Sequence, residues 1–347
     1  MQRIELQPGY SISRVIKGGW HLAGGHGAIS EDKALEDMYA FVKAGITTFD
    51  CADIYTGVEE LIGKFRKRYH AAFQSSELPS IQVHTKYVPD YSALATLTKE
   101  QTVATIDRSL KRLDVEQLDL VQFAWWDYQF PKYLETAVHL SELQKSGKIR
   151  YLGITNFDAK RTQEILDAGV DIVSNQVQYS ILDQRVEEQL TPIAQKYNIP
   201  YLCYGAVAGG FLSDRYLSAP DPTQPHENRS LTKYRLIIDE FGGYDLFQEV
   251  LNVLRGIADR YNVGIAEVAC QYVLQKPSVG AVIVGARNRK HLERLTKLDT
   301  FRLNAIDLVK IDSIIAQSKG PNGPFYELER DKTGKHGSIM KYNLNKS

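Results

Sequence analysis

A chain of 347 residues, 43% hydrophobic and 24% charged, has ample material for a large core. A prior of roughly 150 residues per domain suggests two domains, but closed barrels often run past that length as one unit. The 42 basic and 42 acidic side chains cancel and neither sign runs in long blocks, which argues against a nucleic-acid or anionic-membrane partner and for a small molecule.

The amino-terminal stretch, residues 1–8, lacks the apolar core of a secretory signal, and no apolar run is long enough to span a bilayer, so a cytoplasmic location is expected. From residue 14 onward, short β-branched or apolar runs alternate with amphipathic stretches of helical period, the pattern of parallel βα units. In chain order the predicted strands cover 14–20, 46–50, 81–86, 118–123, 149–155, 172–176, 200–204 and 281–284. The predicted helices cover 32–44, 57–69, 99–113, 131–146, 158–168, 187–197, 264–275 and 289–297. Within 99–113 the apolar stripe is Val103, Ile106, Leu110 and Leu113, a face that would lie against a sheet. Eight such units are what a closed (β/α)8 TIM barrel of the α/β class requires. An open doubly wound sheet would carry Gly-x-Gly-x-x-Gly after its first strand, and the glycine cluster at 18–25 does not fit that pattern.

Two segments exceed the eight units. Residues 205–243, rich in Gly, Pro and Ser, read as a long loop after the seventh strand, and 244–261 as an extra helix. A long loop there sits at the face where barrels build active sites. Residues 301–347 add a carboxyl-terminal helix and a tail that keeps Phe325, Tyr326, Leu328, Ile339, Met340, Tyr342 and Leu344, so the tail is expected to dock rather than hang free. The chain reads as a single domain with its barrel over about residues 14–300. Cys51, Cys203 and Cys270 are odd in number and lack a Cys-x-x-Cys pair, so neither a disulfide framework nor a metal site is read, and they are expected as buried thiols.

Every strand of a parallel barrel ends at the same rim, so residues far apart in sequence meet there. Asp50, Lys86, Thr155, Gln176 and Tyr204 each close a predicted strand, with Tyr55 and Asn156 close behind. A phenol near its ordinary pKa of ~10 is a poor proton donor at neutral pH, and an adjacent ammonium shifts it toward usefulness. Lys86 supplies that charge in this reading, Asp50 keeps the lysine protonated and in place, and Tyr55 is the general acid or base for a carbonyl and its alcohol. Taken singly, an Asp, Tyr or Lys in a loop is far more often a solvated or packing residue than a catalyst. Their joint arrival at matching strand ends favours the catalytic reading.

The chain resembles the aldo-keto reductases over residues 18 to about 300, in the branch acting on sugars and pyridoxal-type compounds. The resemblance is carried by GITTFDCADIY (45–55), EELIG (59–63), the LD of 113–114, LDL (118–120), GKIR (147–150), GITNF (153–157), NQVQY (175–179) and GAR (285–287). It implies a tetrad of Asp50, Tyr55, Lys86 and a histidine, but the histidine position holds Ala124. His84, two residues before Lys86, faces the same way from deeper in the barrel and is a weak substitute. The resemblance implies a nicotinamide dinucleotide, with NADP(H) preferred over NAD(H). Thr155, Asn156 and Gln176 would bind its carboxamide, Tyr204 would stack on its ring, and the loop containing Gly205, Ala206, Val207, Ala208 and Gly210 would wrap the pyrophosphate. Gly19, Gly285 and His291 complete the expected cofactor set, and Arg287 would read a 2′-phosphate at a helix amino terminus. The usual adenine-gripping pair falls on Arg294 and Leu295, a departure that weakens this end of the resemblance.

Trp20, Trp125 and Trp126, with Ala124, are the expected substrate walls, suited to sugar CH faces or aromatic rings. The expectation is an NAD(P)-dependent oxidoreductase for a small sugar-like or aromatic carbonyl. Ala124 keeps two alternatives in view, a lyase or epimerase using the cofactor transiently and a cofactor-binding regulatory protein.

Overall fold

The computed structural model describes residues 1–23, 30–72, 79–222, 226–286 and 288–345. The first residues form an antiparallel hairpin, β1 (Arg3–Gln7) and β2 (Tyr10–Ser13). This hairpin lies outside the predicted elements. Its signal was nonetheless present: Ile4 and Leu6 alternate with polar neighbours before a Pro8-Gly9 corner, and Gly9 turns with φ of +74°, a conformation that favours glycine.

Eight parallel strands follow: β3 (Val15–Gly18), β4 (Thr48–Asp50), β5 (Gln82–Tyr87), β6 (Leu118–Ala124), β7 (Ile149–Thr155), β8 (Asn175–Gln178), β9 (Tyr201–Tyr204) and β10 (Val279–Gly285). Each pairs with its sequence neighbour, and β10 closes on β3 to complete a barrel. Leu6, Tyr10 and Ile12 of the hairpin pack with Ile16, Leu120, Val173, Leu202 and Ala281, so the hairpin plugs the amino-terminal end of the barrel. The opposite end is left for chemistry.

The helices α1 (Glu31–Lys43), α2 (Val58–Ala72), α3 (Lys99–Leu113), α4 (Tyr133–Lys145), α5 (Ala159–Asp167) and α6 (Val186–Tyr197) lie at the expected places. The start of α3 shows why: Thr98 accepts from the Gln101 amide while Gln101 reaches back to the Thr98 amide, a reciprocal cap that satisfies two orphan donors. The segment 205–243 is corrected. It contains α7 (Arg229–Phe241), capped by Asn228 and ended by Gly242. Leu231, Tyr234, Ile237, Ile238 and Phe241 form its buried stripe, a helical period masked in the sequence by the Gly, Pro and Ser around it. The expected extra helix is α8 (Tyr244–Tyr261), and α9 (Ile265–Leu274), α10 (Leu292–Thr296) and α11 (Ala305–Ile315) follow.

The tail docks as expected, through two short turns α12 (Glu327–Arg330) and α13 (Lys335–Ser338). Its last part crosses the loop after β5. The Tyr91 amide donates to the Tyr342 carbonyl at 2.8 Å, and the Leu344 and Asn345 amides donate to Asp90 at 2.9 and 3.0 Å. All three cysteines are free and buried. Among the described residues no helix is long and apolar enough to cross a membrane.

Candidate active site

The carboxyl ends of the strands open into a cavity of about 370 Å³, within the range of small-molecule and cofactor sites. Asp50, Tyr55 and Lys86 meet on its wall. The Lys86 ammonium donates to Asp50 Oδ2 at 2.6 Å and to the Cys51 carbonyl at 2.8 Å, and lies 5.1 Å from the centre of the Tyr55 ring. Register fixes this: Asp50 pairs with His84 across β4 and β5, which sets Lys86 one pleat higher on the same face.

Two amides that sequence analysis did not weigh together complete the cluster. Gln122 donates to Asp50 Oδ1 at 3.0 Å, and Gln176 donates to the same oxygen at 2.6 Å and to Gln122 Oε1 at 2.8 Å. A buried carboxylate is thus met by one ammonium and two amides, the satisfaction that a charge out of water requires.

The electrostatics correct one expectation. Burial pushes the Tyr55 hydroxyl above its ordinary pKa, and the opposing effect of Lys86, by charge and hydrogen bond, does not fully offset it. Tyr55 is therefore protonated at neutral pH, as a proton donor must be. Burial also opposes the Lys86 charge, but Asp50 and then Tyr55 outweigh it, so the lysine titrates above its ordinary value.

His84 does not stand in for an imidazole at position 124. It is fully buried, 3.1 Å from the Tyr10 hydroxyl of the hairpin, and burial together with the Lys86 charge holds it down to about 3, so it is neutral and faces the plug. Ala124 itself ends β6 on the cavity wall, paired with Thr155 of β7.

Thr155, Asn156, Gln176 and Tyr204 line the cavity together. Thr155 donates to the Gln176 carbonyl at 3.1 Å, and the Tyr204 hydroxyl donates to Asn156 Oδ1 at 2.9 Å. Asn156 Nδ2 remains as a donor. Gln176 places its amide N–H groups on Asp50 and Gln122, which leaves Oε1 as an acceptor. A donor and an acceptor at adjacent strand ends match the two ends of a carboxamide.

The expected glycine loop is only partly at the cavity. Gly205, Val207 and Gly210 line it, with Gly209, whereas Ala206 and Ala208 turn their side chains into the core. Gly205 has φ of +81°, and a Cβ there would sit 2.3 Å from the Tyr234 hydroxyl, so α7 packs directly on this loop. Gly18 rather than Gly19 lines the cavity. The Gly19 amide donates to the Asp50 carbonyl at 2.7 Å, and a Cβ at Gly19 would collide with that oxygen. Gly285 lines the cavity, with the His21 ring against its backbone. His291 is exposed and off the cavity, and Arg287 lies outside the described residues. Arg294 faces Asp214 at 3.7 Å and Leu295 is in the core.

The three tryptophans expected as substrate walls line the cavity. The Trp20 ring lies 5.1 Å from that of Tyr55, and Trp125 and Trp126 follow Ala124. Trp126 is fixed by its indole N–H on the Pro89 carbonyl at 2.9 Å and by an edge contact with Tyr342. Residues missed by sequence analysis come from α7 and the tail: Arg229, Lys233, Tyr326, Ile339, Met340 and Leu344. Lys233 sits among the rings of Tyr204, Tyr234 and Tyr326 at 5.2 to 5.7 Å, its pKa lowered by burial against a partial counter-effect from Glu329.

The family model described as "Aldo/keto reductase family" matches residues 14–316. The chain belongs to the aldo/keto reductase family. It is 27% identical over 328 residues to aldo-keto reductase YhdN of Bacillus subtilis (strain 168), covering 91% of this chain and 94% of that protein. It is also 24% identical over 327 residues to L-glyceraldehyde 3-phosphate reductase of Escherichia coli (strain K12), covering 90% and 91%, and 27% identical over 310 residues to the chloroplastic pyridoxal reductase of Arabidopsis thaliana, covering 84% and 80%. Among solved structures, the glycerol dehydrogenase AKR11B4 from Gluconobacter oxydans superposes with a TM-score of 0.74 at 23% identity, over 91% of this chain and 95% of that one, which supports the fold. This aldo/keto reductase is therefore an oxidoreductase, of a family that uses nicotinamide dinucleotides. The cavity fits that group: a flat aromatic face at Tyr204, a donor and acceptor pair for a carboxamide, and a bare backbone at Gly210 with nothing within 4 Å of where a Cβ would stand.

Proposed function

We propose that this aldo/keto reductase interconverts a carbonyl and its alcohol with a nicotinamide dinucleotide, and that Tyr55 transfers the proton. The observation that carries the reading is the buried Asp50–Lys86 pair at 2.6 Å beside the Tyr55 ring on the cavity wall. The cofactor supplies the hydride, and the residues supply the rest. Tyr55, held protonated by burial, gives its proton to the carbonyl oxygen. Lys86 stabilises the phenolate left behind, and Asp50 keeps Lys86 charged. Asn156 and Gln176 orient the carboxamide, Tyr204 supports the ring, and the cations Arg229 and Lys233 suit the pyrophosphate. NADP(H) is preferred over NAD(H) in this reading, through Arg287 at the start of the segment leading into α10.

Apolar side chains of Trp20, Ile54, Val88 and Trp126 line the cavity with Ile339 and Met340 from the tail, and the Trp20 ring lies 5.1 Å from that of Tyr55. They favour the aromatic end of the expected substrate range over polyhydroxylated sugars, whose hydroxyls need partners. The test is a panel of aromatic and sugar aldehydes followed by cofactor absorbance, with the Tyr55→Phe variant beside the parent. Turnover of aromatic aldehydes that falls about 10²-fold or more in the variant is expected; equal turnover in the two removes Tyr55 from the mechanism.

Ala124 supports a second reading. No imidazole orients a carbonyl at that position, so net reduction is slow and the scaffold serves an elimination or epimerisation in which the cofactor is restored within each cycle. Product formation without net consumption of cofactor would distinguish it.

A further inference from the structure

Beyond residue 316, where the family match ends, the tail adds Tyr326, Ile339, Met340, Lys341 and Leu344 to the lining of the cavity. Within 326–330 three side chains bear on the ends of four strands. The Tyr326 ring shares the cavity wall with Tyr204 at the end of β9. Glu329, fully buried, pairs at 3.0 Å with Arg185, which holds Asp183 at 2.8 Å in the turn after β8. Arg330 reaches furthest. Its guanidinium donates to the carbonyls of Trp125 and Trp126 after β6, the latter at 3.0 Å, to the carbonyl of Asn156 after β7, and to the Tyr128 hydroxyl at 2.7 Å. It also lies 4.1 Å from the centre of the Tyr128 ring.

The acceptors explain the choice of residue. Three of the four are backbone carbonyls just past the ends of adjacent strands, where the sheet no longer supplies partners. A planar fork of five donors satisfies them together; an ammonium, a single compact point charge, does not match that spread.

Asn156 is the residue with most at stake. Its φ is +59°, a left-handed conformation that asparagine adopts more readily than other non-glycine residues and that fixes the direction of its carbonyl. The barrel holds its amide on the Gln176 carbonyl at 3.0 Å and its side chain beneath the Tyr204 hydroxyl. Arg330 holds its carbonyl from outside the barrel.

We propose that Arg330 is a positioning residue for the nicotinamide half of the cofactor, acting through Asn156 and the Trp125–Trp126 backbone, so that the tail completes the site. This rests on the cofactor reading above. The test uses the full chain with Arg330→Ala and Arg330→Lys, titrated by protein fluorescence with NADPH and, separately, with 2′,5′-ADP, which carries the adenosine end but no nicotinamide. In Arg330→Ala the NADPH Kd rises about tenfold or more while the 2′,5′-ADP Kd stays within twofold, and guanidinium ion restores part of the NADPH affinity. Arg330→Lys recovers little. Unchanged NADPH affinity, or parallel loss of both ligands, overturns the proposal. A parent protein that binds neither ligand overturns the cofactor reading itself, and is told apart because the failure then appears before any substitution.

Discussion

The two sides of the cavity are built by different means. On one side, β4 and β5 deliver Asp50, Tyr55 and Lys86 directly from strand ends and the first turn after them, and the sheet register sets the spacing of Asp50 and Lys86. On the other, β9 contributes Tyr204, but α7 and the tail supply Arg229, Lys233, Tyr326 and the apolar cover, held by side chains such as Glu329 and Arg330. The first side is part of the barrel sheet itself. The second depends on docking: α7 and the tail, not the sheet, bring most of its side chains to the cavity.

Substitutions separate the two sides. Lys86→Met has the largest expected effect. It strips the charge partner from the buried Asp50 carboxylate, lowering the proton-transfer rate about 10²-fold or more and stability by about 3–5 kcal/mol; single-turnover kinetics and denaturant unfolding measure both. A folded variant with unchanged turnover would mean that the barrel side is not the chemical side.

Ala124→His comes next. An imidazole on the cavity wall beside Thr155 would polarise a substrate carbonyl, so carbonyl reduction should rise by about tenfold or more at neutral pH. A new reduction rate at the expense of a different native product would mark the second reading of function.

Acid probes the attached side. Burial works against the Glu329 charge, but Arg185 and then Lys233 outweigh it and hold this carboxyl below its ordinary value. A depressed folded-state pKa gives stability that is present above the unfolded value of about 4.3 and is lost as pH falls through the folded one. Tail protection, followed by limited proteolysis, should weaken in that acid window in the parent and be pH-independent there in Glu329→Gln. The smallest effect serves as a baseline remote from both sides: Thr98→Ala removes one half of the reciprocal cap on α3 and should cost about 1 kcal/mol with turnover unchanged.

The same contrast accounts for what was legible in the sequence. The eight strands and the helices between them announce themselves by period, and residues at strand ends are brought together by topology whatever else the chain does. Asp50, Tyr55, Lys86, Thr155, Gln176 and Tyr204 were therefore readable in advance. Helix α7 was hidden because its stripe begins just after a Gly- and Pro-rich stretch, and the hairpin because its strands, five and four residues long, carry too short an alternation to stand out. Lys233 and Arg330 carry no local signal at all: a lysine on a helix and an arginine in a tail become part of a site only through what they dock against. The direction of the Tyr55 shift was also beyond the sequence, because the neighbouring charge is visible there and the depth of burial is not.

Proton transfer by Tyr55 is tested most directly in the alcohol-oxidation direction, where the phenolate must act as base. Single-turnover hydride transfer from a bound alcohol should accelerate steadily as pH rises from neutral, by up to about tenfold per unit while the phenol is mostly protonated, and the Tyr55→Phe variant should lose that dependence. A rate in the parent that is flat from neutral to alkaline pH, or a Phe variant that follows the same rise, would contradict it.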